Sequence, residues 1–471
     1  MGISGDIVKK VTEYQKTKEE KMKRRLLVVI TIIAMLSMTV LVGCNTGGGG
    51  SSSTPPPATS GDGGGAAVDT DKESIVIGGV RSQSGVYAMF DATSFGPIYR
   101  MWVEQVNADG GIYVEEYGKK LPIELLIYDD KSDTATMSRL YEKLCVEDKV
   151  DLLLPPVSTA ALYAAAPLTA RYGYLLLGAE GGSASLKEQI DTCPDFFSII
   201  NYSENQVPAT IEVFKEIGVK SMYIVYIEDL FGTEYLEATK KAIEGTDIKI
   251  VGEKAVPPDA TDYTAIINDA MASGAQCFAT YCYPDQNIPC INQAYAMGYD
   301  PEVYLIGPGI TYDFFQHVLA IEGVSPTESV EGLMGFGAWN ANCGPGAKAF
   351  REMFVDFYGP NGQNVLNNPD AGDKNLDQDW WGHIQYQVFV EVLQQAIEGA
   401  GTLDNKKLSE YIKTNHFDTS MGDVWFENNF IAPECYVGNI GQWQNGIFEV
   451  IDVGEKRTAD PIAVHHWPTA H

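Results

Sequence analysis

Apolar residues in this chain fall into short runs and helical stripes that alternate along it. Ser74-Ile-Val-Ile-Gly-Gly-Val80 is apolar with polar flanks and reads as a buried strand. Residues 97–108 place Ile98, Met101, Trp102, Gln105 and Val106 at helical spacing, and Gly110-Gly111 ends that helix. The alternation continues with a strand at Ile123–Tyr128 and a helix carrying Met137, Leu140, Tyr141 and Leu144. A strand at Val150–Leu154, a helix over 159–171 and a strand at Tyr174–Gly178 follow. After a link near 195–205 the pattern restarts. Strands are predicted at Met222–Ile227, Ile248–Val251, Gln276–Tyr281 and Val303–Gly307, with helices near 231–244, 262–273 and 285–297 between them. Repeated strand–helix–strand units predict parallel sheets with helices on both faces, and two runs predict two lobes. The last third adds helices near 347–358, 380–399 and 405–415 and strands near Val424–Phe426 and Gly438–Trp443, with Gly359–Asp379 read as a loop.

Charge separates the N-terminus from this pattern. The net charge is −30, yet residues 1–43 hold eight Lys/Arg and four Asp/Glu, leaving 25 bases against 59 acids beyond them. Lys21, Lys23, Arg24 and Arg25 precede Leu26–Val42, an apolar run of 17 residues that stops short of the ~20 needed to span a bilayer. Leu41-Val42-Gly43-Cys44 closes it. A basic patch, an apolar core and a small-residue ending make an export signal over residues 1–43, with Met22 read as its true start. The ending resembles a bacterial lipobox, which implies lipidation at Cys44. Residues 44–72 are then a Gly/Ser/Pro-rich tether with an r.m.s. reach of roughly 30 Å. The expected location is outside the cytoplasm, lipid-anchored to the cell membrane, in a periplasm or at the cell surface. The acidity argues against nucleic acid and against a basic membrane-surface face.

Seven cysteines remain beyond Cys44, an odd number. Cys145 and Cys277 sit in apolar patterns and read as core. Cys282 with Cys290, and Cys343 with Cys435, are candidate disulfides. The few histidines show no metal-ligand spacing, so neither a metal nor a cofactor is expected.

A further set of motifs runs in order: Ser84-Gly85, Val106-Asn-Ala-Asp-Gly-Gly-Ile112, Tyr128-Asp-Asp130, Ser158-Thr159 and Phe231-Gly232. Thr261-Asp-Tyr-Thr264, Tyr283-Pro284-Asp285, Gly307-Pro308, Phe417-Asp418, Met421-Gly422, Gln442-Trp443 and Asn445-Gly446 continue it. Over residues 74–450 the chain resembles the substrate-binding lipoproteins of ABC importers, of the branched-chain amino acid (Leu/Ile/Val-binding) type. The resemblance implies an α/β fold of two doubly wound parallel-sheet lobes (periplasmic binding protein type I) joined by three crossovers. It divides the chain into 73–198 plus 331–434 for one lobe and 199–330 plus 435–471 for the other. It also implies a permease partner in the membrane and a small ligand held between the lobes.

Candidate site residues follow. Ser158 and Thr159 open a helix after a strand, where a hydroxyl and free N–H groups can hold a carboxylate, although a plain cap needs no ligand. Gly178-Ala-Glu-Gly-Gly-Ser-Ala184 is the matching loop, with backbone groups at Ala179 and Gly181 and a hydroxyl at Ser183. The resemblance places Phe90 and Phe231 as aromatic walls, adds Tyr283, and gives a remaining aromatic position to one of Trp380 and Trp381. The chain departs from the family in one place. Amino acid binders carry an acid just after the Gly-Pro turn, and here that position is Gly309. Either Glu180 or Asp285 replaces it, or the ligand has no ammonium there. The family's disulfide positions are Ser132 and Val157. A sensor of the same fold and an enzyme are the competing classes. No nucleophile elbow or phosphate loop is present, and acid pairs such as Asp129-Asp130 and Glu228-Asp229 read as solvated or capping strand-end carboxylates, so enzymatic activity is not expected.

Overall fold

The computed structural model describes residues 71–307, 318–319, 321, 324–358 and 381–467. The export signal, Cys44, the tether up to residue 70, Gly309, the 359–379 loop and Trp380 lie outside them.

The first lobe holds β1 (Ile75–Arg81), the hairpin β2 (Ile112–Val114) and β3 (Lys119–Leu121), β4 (Ile123–Asp129), β5 (Leu152–Leu153), β6 (Leu176–Gly178) and β7 (Phe196–Ser198). Strands β1, β4 and β5 form one parallel sheet in the order β4-β1-β5, with Ile75 opposite Ile123 and Ile77 opposite Leu152. Three helices alternate with them: α1 (Gly96–Ala108), α2 (Thr134–Lys143) and α3 (Thr159–Tyr172). Ile75, Ile77 and Val80 are fully buried, as a strand covered on both faces requires.

The second lobe begins at α4 (Ser203–Ile217) and continues through β8 (Ser221–Ile227), α5 (Leu230–Ala242), β9 (Lys249–Val256), α6 (Thr264–Ser273), β10 (Cys277–Tyr281), α7 (Pro284–Ala296), β11 (Val303–Ile306) and β12 (Met334–Phe336). The chain then returns to the first lobe with α8 (Pro345–Tyr358), α9 (Trp381–Ala400), α10 (Asn405–Thr414) and the short strands β13 (Phe417–Thr419), β14 (Gly422–Val424), β15 (Phe426–Glu427) and β16 (Phe430–Ile431). It ends in the second with β17 (Ile440–Gln444) and β18 (Ile447–Val450). The second sheet has the order β18-β17-β12-β11-β10-β8-β9, and β15-β16-β7-β6 completes the first lobe. The chain therefore passes between the two sheet systems three times: after Ser198, after Phe336 and after Ile431.

Two expectations are corrected. The second sheet keeps Met334–Phe336, beyond the lobe boundary placed at residue 330, because β12 pairs in parallel with β11. Neither candidate disulfide is formed, and Cys282, Cys290 and Cys435 are free thiols. Cys290 stands nearly two turns into α7, roughly 9 Å along its axis. That is too far for a bond with a cysteine just before the helix. Cys343 instead lies within hydrogen-bond range of Asn340. Among the described residues no helix is long and apolar enough to cross a membrane.

Candidate functional site

The C-terminal ends of β1, β5 and β6 face those of β8 and β10, and the loops after them form a cleft. From the first lobe it is lined by Phe90, Phe95, Val157, Ser158, Thr159 and Glu180, with Gly182 beside them. Ile200 in the first crossover forms its floor, and Phe231 and Tyr283 close it from the second lobe. Counted with its open mouth the cleft holds about 400 Å³. Little of that space is free. Aromatic rings account for that. Tyr283 reaches across to meet Tyr87 edge-on at 5.2 Å and Phe90 edge-on at 5.7 Å, and it lies against Phe231 at 5.3 Å.

Each residue is held by local chemistry. Ser158 caps α3: its Oγ accepts from the Ala161 N–H at 3.3 Å and its carbonyl from Leu162 at 3.0 Å. Its φ is +88°, a strained value for a residue with a side chain. Asp229 caps α5, accepting from the Gly232 N–H at 2.9 Å, and its other oxygen accepts from the Tyr283 hydroxyl at 3.0 Å. Burial raises the Asp229 carboxyl above the usual range. Gly232 lets the helix start this close to β8, since a Cβ there would stand 2.1 Å from the Ile227 carbonyl oxygen.

Behind the first wall lies a group that sequence reasoning missed. Arg81, at the end of β1, is fully buried. Its Nε donates to Asp91 at 2.8 Å, and its Nη1 donates to the Pro155 carbonyl at 2.5 Å and to Glu180. The rings of Tyr99 and Tyr386 lie 5.6 and 5.8 Å from the guanidinium. One cation thus ties together the turn after Phe90, the segment leading to Ser158 and the loop after β6. Burial pushes the Glu180 carboxyl up to about 8 despite Arg81, and Asp91 and Asp130 add to the rise.

Six of the sequence candidates meet at the cleft: Phe90, Ser158, Thr159, Glu180, Phe231 and Tyr283. Four others do not line it. Ala179 is wholly buried, and a Cβ on Gly181 would stand 2.9 Å from both Leu162 and Leu186, so those two residues pack behind the wall. Ser183 is buried with its hydroxyl unpartnered. Asp285 is the second residue of α7, off the lining. Trp381 opens α9. Phe95, Val157, Gly182 and Ile200 were not anticipated. Phe95 continues the helical stripe of Ile98 and Trp102, which was the available signal for it.

The profile of the periplasmic binding proteins matches residues 74–446. The chain belongs to that family. It is a binding protein and not an enzyme. A relative in Pseudomonas aeruginosa, a leucine-, isoleucine-, valine-, threonine- and alanine-binding protein, is 23% identical over 69% of this chain and 79% of its own. A branched-chain amino acid transporter substrate-binding protein from Streptococcus pneumoniae, in complex with isoleucine, superposes with a TM-score of 0.65 at 17% identity. It covers 80% of this chain and 98% of its own. A solute-binding protein of an ABC transporter from R. palustris, in complex with benzoate, gives 0.64 at 15%, covering 82% and 96%. The two-lobed α/β architecture of the binding protein is that of these structures, and the family implies an extracytoplasmic location.

Proposed function

We propose that this binding protein is the solute receptor of an ABC importer, anchored through a lipid on Cys44, and that it captures a small amino acid of branched-chain type. The carrying observation is the pairing of unlike walls in one cleft. The capped N-terminus of α3 at Ser158 and Thr159 suits a carboxylate, and the rings of Phe90, Phe231 and Tyr283 suit an apolar side chain. The ligand docks on the first lobe, and Phe231 and Tyr283 close over it, so extra contacts in the closed state shift the equilibrium. The names of the relative and of the isoleucine complex support this reading.

A second reading takes an aromatic carboxylate. Four rings, Phe90, Phe95, Phe231 and Tyr283, line the cleft, and Gly309 offers no acid for an ammonium. Thermal-shift and calorimetric screening of the exported chain against amino acids, amides, small carboxylates and aromatic acids tests both. An amino acid that raises the melting temperature is the expected outcome, and the absence of any stabilising ligand across the panel would overturn the receptor reading.

A further inference from the structure

Among the described residues lining the cleft, Glu180 alone carries a carboxylate, and only half of it is engaged. Its Oε1 accepts from Arg81, while its Oε2 is buried without a hydrogen-bond partner. A buried acceptor left unpaired carries its full desolvation cost, so it marks a place where a donor belongs. Arg81 does not supply that donor: its buried Nη2, like Oε2, is left without a partner, and Nε and Nη1 carry all the bonds of the guanidinium. It faces two carboxylates, Asp91 and Glu180, and also holds the Pro155 carbonyl. Arg100, partly exposed, reaches Asp91 at 3.3 Å on the far side. Among the described residues the opposite wall brings no charge to the lining, and the Tyr283 hydroxyl is committed to Asp229.

Resting on the reading of the cleft as an amino acid site, we propose that Glu180 Oε2 receives the ligand's ammonium group and that capture releases one proton from Glu180. The charged and titratable groups facing Glu180 are Arg81 from β1, Asp91 from the turn after it, Asp130 from the loop after β4, Tyr141 from α2 and Tyr386 from α9. With its carboxyl pushed up to about 8, mainly by burial, Glu180 holds a proton at neutral pH before the ligand arrives. The ammonium then favours the ionised form. The proton leaves Glu180 for the solvent, the ligand keeps its own, and the site gains one negative charge against one positive. Binding selects the ionised fraction, so apparent affinity rises about tenfold per pH unit below about pH 7.5 and levels off above about pH 8.

Calorimetry on the exported chain tests this with L-leucine, L-isoleucine, benzoate and 4-hydroxybenzoate, in phosphate and in Tris, across pH 6 to 9. The expected result is that an amino acid binds with that pH profile and with about one proton released per ligand at pH 7. Glu180→Gln should weaken binding at least ~30-fold at pH 8 and flatten the profile, with the ligand-free melting temperature little changed. Should that variant not fold, Glu180→Asp keeps the charge and should retain the pH slope at lower affinity. A flat amino acid profile, or unchanged amino acid affinity in Glu180→Gln, overturns the assignment. Binding of a benzoate and of no amino acid overturns it while leaving a solute receptor standing. Binding by no member of the panel overturns both.

Discussion

The first lobe meets the cleft with a helix N-terminus and a half-engaged carboxylate, and the second meets it with the faces of Phe231 and Tyr283. The contrast extends behind the walls. In the first lobe a fully buried Arg81 joins three segments through Asp91, Pro155 and Glu180. In the second, the support is one helix cap, Asp229, bonded to Gly232 and Tyr283. A wall that must orient a polar head needs fixed donors and acceptors, and it spends buried charge on fixing them. A wall that only closes over apolar surface needs shape, which ring packing supplies.

The sharpest way to break that contrast is to remove the guanidinium. Arg81→Met leaves the buried Asp91 with only the partly exposed Arg100 as a cation and takes the hydrogen-bond donor from Glu180, and the expected loss is about 3–5 kcal/mol of folding stability, read by urea unfolding. The second lobe has an arginine to set beside it. Arg457 pairs with Glu216 at 2.5 Å, but Glu216 is 40% exposed. Arg457→Met should therefore cost less than about 1 kcal/mol. Equal losses at the two sites would remove the special standing given to the first wall.

Next in size is the bond between walls. Glu234 of α5 accepts from the Ala184 N–H, from the Ser185 N–H at 3.1 Å and from the Ser203 hydroxyl. Two of these donors belong to the loop after β6 in the first lobe, so this carboxylate latches the second lobe onto it. Glu234→Ala should destabilise the closed form by about 2 kcal/mol, which is a ~30-fold loss of ligand affinity. Small-angle scattering should show a larger ligand-free radius of gyration, and an unchanged radius with unchanged affinity would sink the latch.

Smaller again is Ser158. Ser158→Ala removes the cap hydroxyl and should weaken binding by at least ~1 kcal/mol. Ser158→Gly removes the same hydroxyl but relieves the φ of +88°. The glycine variant should therefore melt higher than the alanine variant while binding no better. Wild-type affinity in both would take Ser158 out of the site.

Legibility in the sequence followed the length of the signal. Strands β1, β4, β8 and β10 are mostly apolar runs of five to seven residues, and their helices carry clear stripes. Strands β7, β12, β13 and β16 have two or three residues each, too few to show a period, and the β2–β3 hairpin was missed for the same reason. In the site, residues that follow a strand and open a helix were legible, because that position is written in local spacing. Arg81 was not. It ends an apolar run, and its partners Asp91, Pro155 and Glu180 lie 10, 74 and 99 residues away. Glu180 was named for its charge, yet its neighbour Gly182 lines the cleft where Ala179 and Gly181 do not, since the loop's turn decides which groups face inward.

The smallest expected effect tests the second wall on its own terms. Tyr283 offers the cleft a ring and offers Asp229 a hydroxyl, at 3.0 Å. If the wall works through shape, Tyr283→Phe keeps its edge-on contacts with Tyr87 and Phe90 and its packing on Phe231. Asp229 loses one donor but still accepts from the Gly232 N–H. Burial already raises that carboxyl, and the lost hydroxyl worked to lower it, so the variant should raise it further. A carboxyl raised in the folded state contributes stability at low pH that is lost as pH rises through its folded value. Tyr283→Phe should therefore cost about 1 kcal/mol of stability at pH 7 and less in acid, and leave ligand affinity within about threefold. Calorimetric titration beside urea unfolding at pH 5 and 7 separates the two readouts. A loss of affinity as large as that of Ser158→Ala would mean that the hydroxyl orients the ligand, and the division between an orienting wall and a closing wall would fall.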